Sequence, residues 1–337
     1  VDASGPFGYL AEKASTNLLP YSQGMATNPW TRTGAGSNTV NAIIAPDGTL
    51  AATRINTVAT SSSWGNFMAF TYTAATYTLS VWGKAGTYDY LCVNLTNGPT
   101  GAVFDLSDGS IGFTDSGITS TIESNPDGWY RCSVTGLRTA GLSYPEVYLS
   151  QSRTANVRSW TPVGTENLYV WGAQLELGTY PTSYIPTTTT AVTRNADVLI
   201  AGDMVTDAAG TAYTEASSIW DASGSNPHLL TRTTGNDGSI LHAYGSTSIY
   251  FWNGSSNAAS PAGASYQNRP APMASTWGDN VTVYKDGAGG SAVGYNGTLG
   301  SGNLLIGHIG ASNQWNGTVR EVKIFNTELT AEEVGDL

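Results

Sequence analysis

Charged residues are scarce in this sequence. Asp, Glu, Lys and Arg make up 12% of its 337 residues, and 25 acids against 14 bases give a net charge of −11. The arginines are scattered and form no basic stripe, which argues against nucleic acid or an anionic membrane as the main partner. Neutral or cationic surfaces, including neutral glycans, fit this charge balance.

Cysteine, histidine and long apolar runs are equally rare. Two cysteines, Cys92 and Cys132, exclude a disulfide framework, and the sequence leaves open whether they are buried thiols or one disulfide. Three histidines, His228, His242 and His308, lie far apart in the chain. No HExxH, GxSxG or phosphate-binding glycine loop occurs, so the sequence predicts that the protein is not an enzyme. No apolar run is long enough for a membrane span, and we expect no membrane insertion.

Glycine, tyrosine and tryptophan are plentiful, at 40, 18 and 10 residues. Aromatic and β-branched residues between Gly-Asn-Asp turns favour many short strands over helices. Residues 77–84 and 88–95 alternate between apolar and other side chains, with Leu91, Val93 and Leu95 on the predicted core face. The sequence therefore predicts an all-β protein.

Residues 170–197 divide the chain. A strand passes Gly178 and Pro181 and ends in four consecutive threonines, which is typical of a domain boundary. We expect the strand to close the first domain beside the N-terminal strand near Asn17. The predicted fold is two antiparallel jelly-roll β-sandwich domains in tandem, with a short C-terminal helix that Thr330 caps. The predicted segments are a lead-in at 1–16, a jelly roll at 17–190, a linker at 191–197 and a second sandwich at 198–337.

Tryptophan is the residue type that points most directly to a ligand. Its flat face stacks on the C–H face of a sugar, while amides and carboxylates hydrogen-bond the hydroxyls. The candidate carbohydrate-binding residues are Trp64, Trp82, Trp171, Gln174, Trp252 and Trp315. The alternative for each tryptophan is core packing, and the alternative for Gln174 is a strand-edge hydrogen bond to the following loop.

Three carboxylates are candidate ligands of a structural calcium ion, because Ca²⁺ takes acids and backbone carbonyls at strand ends. They are Asp47, Asp127 and Glu176. The alternative is that each is a turn or edge residue. The sequence indicates no other cofactor.

Several motifs of the first half form a pattern that extends over residues 5–197. They are Asn17-Leu-Leu-Pro-Tyr-Ser, Ala45-Pro-Asp-Gly-Thr, Ser80-Val-Trp-Gly-Lys-Ala-Gly, Trp129-Tyr-Arg, Trp171-Gly-Ala-Gln-Leu-Glu, Pro181-Thr-Ser-Tyr-Ile-Pro and Thr193-Arg-Asn-Ala-Asp. This half resembles the carbohydrate-binding-module-like jelly roll found in many phage tail and fibre proteins.

The second half carries motifs of its own. They are Trp277-Gly-Asp-Asn-Val-Thr-Val-Tyr-Lys-Asp-Gly, Asn316-Gly-Thr-Val-Arg-Glu-Val-Lys-Ile-Phe-Asn and Leu329-Thr-Ala-Glu-Glu-Val. Residues 198–337 resemble a laminin-G or concanavalin-A-like lectin sandwich. The two resemblances imply antiparallel jelly rolls, glycan or cell-surface recognition and a virion setting, and they supply no catalytic motif.

The functional prediction is non-catalytic binding of a host cell-surface polysaccharide by a component of a phage or phage-like particle, such as a tail fibre, spike or head fibre. We expect such a protein on the virion surface, in contact with other virion proteins. Fibres of the type it resembles are often trimers, but the sequence contains no coiled-coil heptads and leaves the oligomeric state open. One alternative is a polysaccharide-degrading enzyme or its accessory module. Another is a purely structural decoration or connector protein.

Overall fold

The computed structural model describes residues 8–26, 28–206, 208–218, 227–232, 239–244, 248–252, 257–265, 267, 269–296, 299, 302–307 and 315–337. The chain divides into two compact units. The first unit spans Ser15–Arg194, and the second combines residues before Ser15 with Asn195–Leu337. In sequence, the first unit is therefore inserted into the second, whose first strand is β1 (Tyr9–Ala11).

The first unit is built from antiparallel strands. They are β2 (Ser15–Asn17), β3 (Thr31–Thr33), β4 (Asn38–Thr39), β5 (Thr53–Asn56), β6 (Ser62–Ser63), β7 (Gly65–Phe67), β8 (Phe70–Tyr72), β9 (Ala75–Ala85), β10 (Tyr90–Asn94), β11 (Gly101–Asp105), β12 (Ser110–Thr114), β13 (Ile118–Asn125), β14 (Trp129–Arg138), β15 (Gly141–Ser143), β16 (Glu146–Leu149), β17 (Ser159–Trp160), β18 (Asn167–Leu177) and β19 (Val192–Arg194). A short 3₁₀ turn, Pro126–Gly128, joins β13 to β14.

Two six-stranded sheets form a sandwich. The front sheet has the order β13-β14-β9-β18-β5-β4, and the back sheet has the order β12-β11-β10-β16-β7-β3. Alternate side chains of both sheets point inward and make one core. Leu79 and Val81 of the front sheet are completely buried there, and so are Leu91 and Val93 of the back sheet and Leu95, which directly follows β10. This burial confirms the predicted alternation.

The chain enters and leaves the first unit side by side. Strand β2 pairs with β19, with Asn17 opposite Val192. The backbone nitrogen of Leu18 donates to the oxygen of Leu175 at 2.8 Å. The predicted closure of this unit beside Asn17 is therefore confirmed.

The second unit is also a two-sheet sandwich. Its later elements are β20 (Leu199–Ala201), β21 (Gly210–Ser218), β22 (His228–Arg232), β23 (Ser239–Tyr244), β24 (Ser248–Trp252), β25 (Asn257–Ala259), β26 (Ala271–Trp277), β27 (Asn280–Lys285), β28 (Ala288–Gly289), β29 (Val293–Gly294), β30 (Leu304–Ile306), β31 (Gly317–Phe325) and the helix α1 (Ala331–Gly335). One sheet runs β1-β31-β21-β26-β27-β28, with β29 beside β27, and the other runs β20-β30-β22-β23-β24-β25. Apolar residues of both sheets share one core.

The all-β prediction is confirmed, and so is the C-terminal helix. Thr330 caps α1 in a capping box with Glu333. Strand β1, which lies inside the predicted lead-in, pairs with β31, with Tyr9 opposite Val319. No helix of the described residues is long and apolar enough to cross a membrane. The two cysteines are buried free thiols.

Candidate functional site

The outer face of the front sheet carries rows of side chains from neighbouring strands. Arg131 of β14 lies opposite Trp82 of β9, and Trp82 lies opposite Trp171 of β18. One step along the strands, Lys84 lies opposite Tyr169. We call these the tryptophan row and the lysine row. They differ in what covers them.

The tryptophan row is covered by the chain that follows β18. The ring of Tyr184 lies 4.5 Å from that of Trp171, and the rings of Trp82 and Trp171 lie 5.3 Å apart, edge to face. The Arg131 guanidinium lies 4.6 Å from the centre of the Trp82 ring and donates to the oxygen of Thr182 at 2.6 Å. Trp82 and Trp171 are only 7% and 1% exposed. Their faces are occupied by protein, so the structure corrects their interpretation as sugar-stacking residues.

Gln174 and Glu176 hold this covering segment in place. The Glu176 carboxylate accepts hydrogen bonds from the Ser15 hydroxyl, the Gln174 amide, and both the backbone nitrogen and the hydroxyl of Thr182, at 2.5–3.0 Å. The Gln174 side chain accepts from the nitrogen of Ile185 at 2.7 Å. Both side chains are fully buried. Gln174 is thus a structural residue that bonds the following loop, which was its alternative interpretation.

The other candidate tryptophans lie elsewhere. Trp64 is buried in the core of the first unit and donates to the oxygen of Trp160 at 3.3 Å. Trp315 is buried in the second unit, where its indole nitrogen donates to the oxygen of Ser217. Core packing therefore replaces ligand stacking for both. Trp252 differs, because at the end of β24 it is 38% exposed.

The predicted calcium ligands do not form a common site. Among the described residues, no group of three or more His, Cys, Asp or Glu side chains is placed to hold a metal ion. Asp47 accepts from the nitrogen and the hydroxyl of Thr49 in an exposed turn. Asp127 lies in the exposed 3₁₀ turn, and Glu176 is saturated by buried donors. The turn or edge interpretation fits all three. The side chain of His242 and all of His308 lie outside the described residues.

An open groove lies over the lysine row, and it is the candidate site. Its volume is about 710 Å³. One wall is the loop 43–48, the other is the turn 125–127, and the floor belongs to β9, β14 and β18. The described lining residues are Ile43, Ile44, Ala45, Pro46, Gly48, Lys84, Asn125, Pro126, Asp127, Trp129 and Tyr169.

Hydrogen bonds fix both walls of the groove to its floor. The indole nitrogen of Trp129 donates to the backbone oxygen of Ile44 at 3.3 Å. The ammonium group of Lys84 donates to the backbone oxygen of Asp127. Asp127 takes a positive φ of 61°, which the short polar side chains Asn and Asp adopt more readily than most. The groove is therefore preformed, with Tyr169 half-buried on its floor.

Sequence reasoning did not single out Trp129, Lys84 or Tyr169 as ligand candidates. A signal was present, since Trp129 and Tyr169 both fall at positions that alternate with core residues on their strands. Tyr169 lies between the core residues Leu168 and Val170 on β18, and Trp129 precedes Tyr130, which packs against the core from β14. What the sequence lacked was the position of the loop 43–48, which decides that this end of the sheet stays open.

Comparisons with known proteins found structural similarity only, since no protein-family model and no curated protein matches the sequence. The mouse laminin α1 chain, domains LG4-5, is 10% identical, with coverage of 81% of this chain and 89% of that one and a TM-score of 0.27. Trypanosoma rangeli sialidase with sialic acid is 14% identical, with coverage of 84% and 59% and a TM-score of 0.32. The same sialidase with the inhibitor DANA is 17% identical, with coverage of 38% and 22% and a TM-score of 0.31. The chain thus spans less than two thirds of the sialidase chain in both matches, 59% in one and 22% in the other.

The prediction that the protein is not an enzyme is wrong as it stands. Two of the similar structures are sialidases bound to sialic acid or to an inhibitor. Because their TM-scores are low, these matches carry no argument for a particular activity here.

Proposed function

We propose that the protein binds carbohydrate and that the groove over the lysine row is its binding site. The observation that carries this proposal is the half-buried Tyr169 on the floor of an open, preformed groove of about 710 Å³. Ligand sites commonly have volumes of roughly 300–1,000 Å³, mostly apolar walls and a few fixed polar groups. The groove combines these features.

The lining residues match the chemistry of a sugar. The ring of Tyr169 offers an aromatic surface for C–H faces, and Trp129 supports the floor beside it. Lys84 and Asn125 supply donors for hydroxyl oxygens, while Asp127 supplies a carboxylate acceptor. Lys84 and Asp127 offset each other in charge, so the groove favours a neutral sugar over a strongly charged one.

The biological setting is part of the same proposal. The resemblance of residues 5–197 to phage tail and fibre jelly rolls supports a host cell-surface polysaccharide as the ligand and the surface of a phage-like particle as the location. A single groove of this kind would bind weakly, so several copies on one particle, as in a trimer, would raise the effective affinity.

A glycan array probed with multivalent protein tests the proposal. We expect wild-type protein to bind a subset of neutral polysaccharides and Tyr169→Ala to lose about tenfold or more in affinity, because stacking on one aromatic ring is removed. The matched control is Tyr144→Ala, which removes a partly buried tyrosine that packs against Phe67 away from the groove. If Tyr169→Ala and Tyr144→Ala bound the glycans with equal affinity, the ligand would not contact Tyr169 and the groove would not be its binding site.

The same samples separate the two alternatives. New reducing ends in the incubated polysaccharide would indicate an enzyme that degrades its ligand. If neither monomeric nor multivalent protein bound any glycan, the result would contradict the carbohydrate proposal. It would then favour a structural decoration or connector protein.

A further inference from the structure

Two histidines occupy opposite positions on neighbouring strands of the second unit. Strand β22 pairs antiparallel with β23, with His228 opposite His242, and β23 pairs with β24, with His242 opposite Tyr250. These three positions form a row across three strands, which we call the histidine row. The third histidine of the chain, His308, lies outside the described residues. The fold therefore brings together a residue type that the sequence contains only three times.

The histidine row lies on the outer face of its sheet. Tyr250 stands between Ile249 and Phe251, which are completely buried in the core of the second unit. Since successive residues of a strand face opposite sides of the sheet, Tyr250 is on the face away from the core. Residues directly opposite each other on neighbouring antiparallel strands share a face. The positions of His242 and His228 are therefore on the outer face as well.

A β-bulge places His228 on this face. Two steps along β22, from His228 to Leu230, correspond to a single step along β23. Simple alternation would put His228 on the same side as Leu230, which is completely buried in the core. The extra residue, Leu229, is buried in the core as well, whereas His228 is partly exposed. Bulges are frequent beside functional sites, where they reorient a side chain.

We propose that His228 and His242 together bind one divalent transition-metal ion of the Zn²⁺ type. Imidazole nitrogens are preferred ligands of such ions. The Cβ atoms of directly opposite residues are about 4.5–5.5 Å apart, a separation from which two imidazole rings can reach one ion at Zn–N distances of about 2.0–2.1 Å. Water completes the coordination on the solvent side, and the net charge of −11 favours a cation. This inference does not depend on the groove.

NMR of the histidine rings and calorimetry of the full chain with ZnCl₂ test the site. Because the chain has three histidines, the cross-peaks of their rings can be followed one by one. We expect one Zn²⁺ to bind per chain and to shift the cross-peaks of His228 and His242 together. CaCl₂ should shift neither, because Ca²⁺ takes oxygen ligands. A wild-type spectrum in which Zn²⁺ shifts fewer than two histidines would overturn the proposal, and this result needs no variant.

Substitutions identify the ligands. His228→Ala and His242→Ala should each weaken Zn²⁺ binding by about tenfold or more, since the loss of even an outer-shell partner of a metal ligand costs about that much. The double variant should lose little further affinity, because a single remaining imidazole no longer chelates the ion. Zn²⁺ affinity that stayed at the wild-type value in both single variants would contradict the proposal.

Two controls make the result specific. Asn257→Ala changes an exposed position of β25 in the same sheet and should leave Zn²⁺ binding unchanged. Tyr169→Ala, in the groove of the first unit, should also leave it unchanged, so the failure of one site is distinguishable from the failure of the other.

Discussion

The tryptophan row and the lysine row lie on one face of one sheet, a single step apart along the same strands. In the first, Arg131, Trp82 and Trp171 are sealed by the segment that follows β18. In the second, Lys84 and Tyr169 form the floor of an open groove. The strand sequence therefore places aromatic residues on the outer face, whereas the covering loops decide which of them can contact a ligand.

The largest effect that separates the rows is expected from Trp171→Ala. The indole is almost fully buried against Trp82 and Tyr184, so its loss should lower the free energy of unfolding of the first unit by about 3–5 kcal/mol. Urea denaturation followed by circular dichroism measures this. Trp252→Ala, at a tryptophan that is 38% exposed, is the control and should cost much less. A loss below about 1 kcal/mol for Trp171→Ala would mean that the tryptophan row is open after all.

A smaller effect is expected from Glu176→Gln. Glutamine keeps the size but turns an NH₂ group toward donors that now bond a carboxylate, so unfolding should become easier by about 2–3 kcal/mol. Because the covering segment loosens, acrylamide should quench tryptophan fluorescence more strongly than in the wild type. Glu123→Gln, at an exposed position of β13, should change neither quantity. Unchanged quenching in Glu176→Gln would show that the seal does not depend on this carboxylate.

The smallest effect is expected from Ile44→Ser on the groove wall. The side chain is 56% exposed, so stability should change by no more than about 0.5 kcal/mol. Loss of an apolar wall should still weaken glycan binding by about threefold, roughly the free energy of one buried methylene group. Val163→Ser, at an exposed valine outside the groove, should leave binding unchanged. If Val163→Ser weakened glycan binding more than Ile44→Ser did, the ligand would bind outside the groove.

The strand pattern could be predicted from the sequence because it is local. Alternation around Leu79 and Leu91 identified the core face, and the Thr330 and Glu333 pair identified the helix start. Each of these signals is contained within about ten residues, the length over which alternation and capping operate.

The exposure of individual tryptophans could not be predicted in the same way. Trp82 and Trp171 are buried because Tyr184 and Thr182 fold back onto them, and Trp129 is fixed by a backbone oxygen 85 residues away in the chain. Such contacts depend on tertiary packing and leave no periodic mark in the sequence. The alternative interpretation of Gln174 succeeded because its partners, residues 182–185, are close in sequence.

The pairing of β1 with β31 has a consequence for the order in which the protein folds. Tyr9 and Val319 are partners although about 300 residues separate them. A ribosome releases the first strand long before its partner exists, while β2 and β19, the two ends of the inserted unit, are both available much earlier. The inserted unit can therefore complete itself during synthesis, and the strand that precedes it must wait, unpaired, until the last part of the chain emerges.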